Sequence, residues 1–197
     1  MKGGALIHWL RYVVGLDAAI TQTSAAEREL LAKAVTDAKR IVEIGIFEGV
    51  NTATFALNAP SDAKVYAIDP FFKGALGFNY GKFIAFSEWK KQGIQQKVVV
   101  VQGLSWDVHT QVPDELDFVF VDGDHSYEGV KKDFDTYATK LKSGGIIALH
   151  DARLFSNGWT RPDWGPVELV NKHIRNSDDW EIVAEVDSLV LIRKKCG

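Results

Sequence analysis

The most constraining feature of this chain is an alternation. Short apolar runs over residues 40–45 (RIVEIG), 64–69 (KVYAID), 97–103 (KVVVVQG), 116–122 (LDFVFVD) and 144–151 (GGIIALHD) are separated by stretches with helical periodicity. Strands that alternate with helices imply βαβ units, a parallel sheet and right-handed crossovers. The first, second, fourth and fifth runs are apolar nearly throughout, as strands covered on both faces are. The last stretch, WEIVAEVDSLVLIRKK, holds two β-rich runs around Asp187-Ser188 and reads as an antiparallel hairpin. The expected fold is α/β and doubly wound: a mostly parallel seven-stranded sheet with a C-terminal antiparallel hairpin and helices on both faces. One domain spans 1–197, with an N-terminal helical segment over 1–39 and the core over 40–197.

The intervening helices carry their own signals. Ser24 and Glu27 form a possible capping box ahead of an apolar stripe of Leu30, Leu31, Ala34, Val35 and Ala38. Val130, Phe134, Tyr137 and Leu141 mark one face of a helix over 127–141, and Pro166 stands near the start of another over 165–176. Near the N-terminus, Leu6, Leu10, Val13 and Val14 recur at helical spacing. Arg11 cuts that apolar run far short of a membrane span, so the segment reads as an amphipathic helix packed on the domain or on a second copy in a homodimer.

Charge and cysteine content narrow the partners. Net charge is −3, and the basic clusters, Lys131-Lys132 and Arg193-Lys194-Lys195, are short. No basic face suits a phosphate backbone, so neither nucleic acid nor membrane is an expected partner. The single cysteine, Cys196, excludes a disulfide framework and fits a reducing, cytoplasmic setting.

In sheets of this kind ligands sit beyond the carboxyl ends of the strands, near the point where strand order reverses. The first strand runs into VEIGIFEGVNT, where Gly45 and Gly49 allow a tight turn and close approach to a ligand. Phe47 stands where a dinucleotide fingerprint requires glycine, which argues against a pyrophosphate on this turn. Glu43 near that strand end must be paired or hydrogen-bonded; it faces a ligand's ammonium group or holds the turn's amides. Asp69 ends the second strand, where a carboxylate either accepts from ribose hydroxyls or starts the turn before Pro70. Gly103 and Ser105 follow the third strand, placed for an adenine edge or a plain turn.

Asp122, Asp124 and His125 follow the fourth strand, and His150-Asp151 ends the fifth. If those strands are neighbours, Asp122, Asp124, His150 and Asp151 converge. Carboxylates crowded together repel unless a cation neutralises them or some are protonated. A divalent metal is one solution, and strand capping toward water is the other. Oxygen ligands suit Mg²⁺ or Mn²⁺, while a histidine favours softer ions.

Taken together, VEIGIFEGVNT, YAIDPF, VQGLSWD, FVFVDGDHSYEGVKKDF and LKSGGIIALHD resemble the class I S-adenosylmethionine-dependent methyltransferases. More narrowly the set is similar to the metal-dependent O-methyltransferases and to the bacterial tailoring group that includes relatives named as cephalosporin hydroxylases. The resemblance implies a Rossmann-like core. It assigns Glu43, Gly45, Ile46, Phe47, Gly49 and Asn51 to the methionine part of the cofactor, Asp69 to its ribose, and Leu104 and Ser105 to its adenine. It gives Asp122 a place beside cofactor and metal, with His150 and Asp151 completing the metal site; the histidine departs from the family's acid. Asp122 and His125 become the catalytic pair, with His125 as general base where catechol-type enzymes place a lysine. S-adenosylmethionine and a divalent metal, Mg or Mn, are the implied cofactors, and a small hydroxylated molecule the implied acceptor. The aromatic segments PFFKGALGFNYG and NGWTRPDWG are placed to wall its pocket. Two rival expectations are a nicotinamide-dependent oxidoreductase on a similar sheet and a methyltransferase-like binding protein without catalysis.

Overall fold

The structure, a computed structural model, describes residues 2–74, 77–156 and 158–195. Cys196 lies outside these, as do Ala75, Leu76 and Asn157 of the two aromatic segments. Seven strands form one sheet: β1 (Arg40–Ile44), β2 (Lys64–Asp69), β3 (Val98–Gln102), β4 (Leu116–Val121), β5 (Leu141–Leu149), β6 (Trp180–Val186) and β7 (Leu189–Lys194). Their order is β3-β2-β1-β4-β5-β7-β6. The first five are parallel, and β7 runs antiparallel between β5 and β6. The chain winds outward from β1 through β2 to β3, then returns to place β4 on the other side of β1. That reversal opens a crevice above β1 and β4.

The pleat divides the core between two layers. Phe118 and Phe120 on β4 point to one face and meet Phe55, with ring centroids 5.6 Å away in both cases. Val119 and Val121 point to the other and join Phe134, Tyr137 and Leu169. Full burial of each such ring stabilises by about 1.5–3 kcal/mol.

The helices follow the sequence pattern with informative departures. Helix α2 (Ala25–Ala34) starts at the anticipated capping box: the Ser24 hydroxyl accepts from the Glu27 amide, and the Glu27 carboxylate accepts from the Ser24 amide. Helices α3 (Val50–Asn58), α4 (Tyr80–Lys91) and α6 (Tyr127–Ala138) fill the crossovers. A short α5 (Ser105–Val108), not anticipated from the sequence, follows β3. The last helical pattern breaks into α7 (Gly165–Leu169) and a π-helical turn over Val170–Ile174.

Helix α1 (Lys2–Val13) packs on α4 of its own chain: Trp9 contacts Phe78, Tyr80 and Phe83, and the Tyr12 hydroxyl donates to Glu88 at 2.7 Å. Its outer side leaves Ile7, Leu10 and Val14 exposed. Among the described residues no helix is long and apolar enough to cross a membrane.

Candidate active site

Sheet register gathers the strand ends. Ile44 pairs with Val121 and Val121 with Leu149, so Gly45, Asp122 and His150 emerge side by side. The ladder continues one residue further, with the Asp122 amide donating to Ile44 and the His150 amide to Val121. Above this row lies a cleft of about 550 Å³, a size that suits a small ligand.

The floor of the cleft is the turn after β1. Gly45 has φ +90°, and a Cβ there would sit 2.1 Å from the Asp122 carbonyl oxygen. Gly49, at φ +76° before α3, would clash with the Trp89 indole, whose N–H donates to the Gly49 carbonyl at 3.0 Å. Phe47 also has positive φ, +52°, in a region that a bulky residue rarely adopts, and stays about half exposed at the cleft. Asp69 pins this turn: one oxygen accepts from the Ile46 amide at 3.0 Å and the other from the Phe71 amide at 2.6 Å. It lines the cleft along with Ile46, Phe47, Asn51, Leu104 and Ser105, so the expected cofactor residues share one cavity.

Gly49 lies outside that lining, and Glu43 is the second exception. Its side chain is fully buried and does not line the cleft. It points to the α3 side of the sheet, where one oxygen accepts from the Thr52 hydroxyl at 2.5 Å and the other has no partner. Burial above all, then the charges of Asp122 and Asp69, pushes its pKa well up. The acid thus lies beneath the floor, outside the lining of the cleft.

The roof was not legible from the sequence. Ile20, Thr21 and Gln22, in the loop after α1, face the turn from above. Glu48 ties that loop down by accepting from the Ile20 amide at 2.8 Å and standing 3.2 Å from the His8 ring. The Thr23 hydroxyl donates to Asn51 at 2.9 Å.

At the β4 and β5 ends the side chains that converge differ from the expected set. Asp122, His125 and Asp151 each offer an atom within 4.8 Å of the others. Nε2 of His125 lies 3.5 Å from Asp122 and 3.6 Å from Asp151, buried and without a hydrogen-bond partner. His150 stands behind this group: its side chain is wholly excluded from solvent, with Nδ1 3.0 Å from Asp122 and Nε2 3.4 Å from Glu27. His150 still follows the strand's alternation, whereas Asp151 turns out of it at φ +53° and comes within 3.6 Å of His125. Asp124 also stays out of the group, because it accepts from the Ser126 amide and caps its own turn.

Charge explains the new role of His150. Burial opposes its protonation, yet Asp122 and Glu27 raise its pKa to about 10. A fixed imidazolium therefore sits beside the carboxylates. Burial likewise works against the charge on Asp122, but His125 and His150 hold its pKa below the usual value. Asp122 raises the pKa of His125, against partial burial. Two aromatic side chains complete this end: the Trp159 indole donates to Asp151 at 2.5 Å, and Trp164 stacks on His125 with centroids 5.7 Å apart. Both come from the segment after β5 that was expected to wall an acceptor pocket.

Residues 42–152 match the family model described as a methyltransferase domain. The chain belongs to that methyltransferase family. It is 32% identical over 130 residues to tapetum-specific methyltransferase 1 of Arabidopsis thaliana, covering 61% of this chain and 50% of that protein. It is 32% identical over 118 residues to the caffeoyl-CoA O-methyltransferase of Populus kitakamiensis, covering 57% and 46%. The chain thus spans about half the length of the curated relatives it matches. Among solved structures, the O-methyltransferase of Bacillus cereus in complex with SAH superposes with TM-score 0.71 at 18% identity, over 98% of this chain and 91% of that one. The methyltransferase fold is therefore the fold of this chain, and the nicotinamide reading gains no support.

Proposed function

We propose that this protein transfers a methyl group from S-adenosylmethionine to a hydroxyl of a small molecule, with a divalent ion assisting. The observation that carries the reading is the Asp122–His125–Asp151 group at the rim of a nucleoside-sized cleft floored by Gly45. The residues fit both cofactors: the Gly45 turn is a cradle that a Cβ would fill, and His125 Nε2 is an orphaned ligand atom facing two carboxylates. S-adenosylmethionine would supply an electrophilic sulfonium methyl. Asp122, His125 and Asp151 would hold the ion, which would supply Lewis acidity toward an acceptor hydroxyl.

The chain's own residues do the remainder. The Gly45–Gly49 turn and Asp69 fix the donor's position, and orientation alone removes much of the barrier. The Trp159 indole holds the carboxylate of Asp151, and Trp164 holds the ring of His125. Nε2 of His125 serves one role at a time, ion ligand or proton acceptor; as acceptor, its imidazolium is stabilised by Asp122 and Asp151.

Calorimetry with S-adenosylhomocysteine tests the first half of the reading, and micromolar affinity is the expected result. Methyl transfer to a panel of hydroxylated acceptors, with and without chelator, tests the second. Absence of binding sinks the whole proposal; chelator-insensitive turnover sinks only the ion. A homodimer through the exposed face of α1 and a cytoplasmic setting belong to the same proposal, the first read by light scattering.

A further inference from the structure

A second cavity lies outside the cleft and has no place in the chemistry above. It encloses about 540 Å³ between α4, the loop after β2 and the end of the edge strand β3. Neighbouring residues of that loop serve the two spaces: Phe71 lines this cavity and Phe72 lines the cleft. One wall is a single face of α4. Lys82, Phe83, Phe86 and Lys90 share that face, while Ile84, Ala85 and Trp89 turn another side into the core. Phe83, Phe86 and the nearby Phe78 each stay 40% exposed, so the fold itself leaves these rings uncovered.

The charges around the cavity are one-sided. Lys73, Lys82 and Lys90 line it, and no acid does. The single acid of α4, Glu88, is taken up by Lys91 and Tyr12 instead. Among the described residues none of the three lysines pairs with a carboxylate. Lys82 is nonetheless held in place. Its Nζ donates to Gln102 Oε1 at 2.9 Å and stands 4.4 Å from the centroid of the Phe71 ring and 5.8 Å from that of Phe86. An ammonium lodged among rings has lost part of its water, so a further anion gains more from it than from a free surface lysine. The local excess of cations also runs against the net charge of −3.

These features choose among occupants. A second copy docking through this face would set lysines against lysines across a two-fold axis, which repels. A nucleic-acid backbone needs a broader basic face than three lysines. Arginine, the fork that grips phosphate at two points, is absent from the lining. The volume suits one small molecule. We propose that this cavity binds a small free aromatic carboxylate, its ring among Phe71, Phe83 and Phe86 and its carboxylate on Lys82, at a site separate from the cofactor cleft. Gln102 fixes the anchoring ammonium, and the exposed Lys73 and Lys90 add to the positive field that draws the anion in.

The test is calorimetry on the full chain with 2-naphthoate and, as its uncharged counterpart, 2-naphthalenemethanol. Wild type should bind the acid about tenfold more tightly than the alcohol, or better. Lys82→Met keeps a long apolar stem without the charge and should erase that preference. Phe86→Leu should weaken both ligands alike. Lys90→Met, at an exposed position, should weaken the acid about threefold and leave the alcohol unchanged. Melting curves report whether each variant is folded. Saturating S-adenosylhomocysteine should leave the affinity for 2-naphthoate unchanged. Absence of 2-naphthoate binding, equal binding of acid and alcohol by wild type, or a wild-type affinity for the acid in both lysine variants overturns the inference. Displacement of 2-naphthoate by S-adenosylhomocysteine places the acid in the cleft and overturns it as well.

Discussion

The buried imidazole of His150 stands 3.4 Å from the carboxylate of Glu27, both side chains wholly excluded from solvent. Glu27 also closes the capping box of α2 and accepts from the amide and hydroxyl of Ser188 in the β6–β7 turn. One side chain therefore joins a helix start, the terminal hairpin and the candidate active site. Removing one partner of a buried pair leaves the other uncompensated, at a cost of about 3–5 kcal/mol. Glu27→Gln should lose stability on that scale in urea unfolding at neutral pH, although the amide is nearly isosteric. A loss below about 1 kcal/mol would show that His150 is neutral in the folded protein.

Asp151 gives a cleaner handle on the ion. Its φ of +53° is tolerated by asparagine as well as by aspartate. Asp151→Asn should fold normally and bind S-adenosylhomocysteine within about threefold of wild type. Its turnover should fall by two orders of magnitude or more, and the heat of Mn²⁺ binding should disappear. Wild-type turnover in this variant would remove Asp151 from the catalytic group.

Two glycines with similar φ separate steric need from backbone freedom. At Gly45 an added Cβ meets the Asp122 carbonyl at 2.1 Å, whereas at Gly144, φ +73°, it meets nothing within 4 Å. Gly144→Ala should cost about 1 kcal/mol, the penalty for forcing a left-handed conformation. Gly45→Ala should cost markedly more and abolish cofactor binding. Similar melting temperatures for the two variants would contradict the close contact between β1 and β4.

Asp133 should make the ligand-free protein sensitive to pH. Burial first, and then the charge of Asp124, raise its pKa from 3.8 to about 6, against the Ser105 hydrogen bond and Lys132. The folded state holds this proton more tightly than the unfolded chain does. The contribution is complete below about pH 3.8 and is lost as pH rises through about 6. At about 1.4 kcal/mol per pKa unit, its ceiling is about 3 kcal/mol. Between these limits wild type should lose stability relative to Asp133→Asn as pH rises. Denaturation curves that stay parallel across this range would show an unshifted carboxyl.

Much of this architecture was legible because it is written in local patterns. The apolar runs fixed the parallel strands, the two β-rich runs around Asp187 gave the hairpin, and Ser24-Glu27 gave the start of α2. Glycine at 45 and 49 and the acid at 69 marked the turn beneath the cleft for the same reason: a strand end demands particular residues. What stayed hidden depends on long-range packing. His150 and Asp151 are adjacent in sequence, and only the left-handed turn at Asp151 decides which of them reaches His125. The alternation of β1 that sends Glu43 under the floor shows in the sequence, but the Thr52 hydroxyl that receives it does not. The second duty of Glu27 and the clasp of His8 on Glu48 join distant segments, so no spacing rule reveals them.

The clasp has a wider meaning. The stretch that matches the family begins at Val42, yet Ile20 to Gln22 close the cleft from above and Glu27 neutralises His150 from outside that boundary. A fragment trimmed to the homologous segment would keep its central strands and forfeit both ceiling and counter-charge. In this protein the matched stretch stops short of side chains that shape the candidate site.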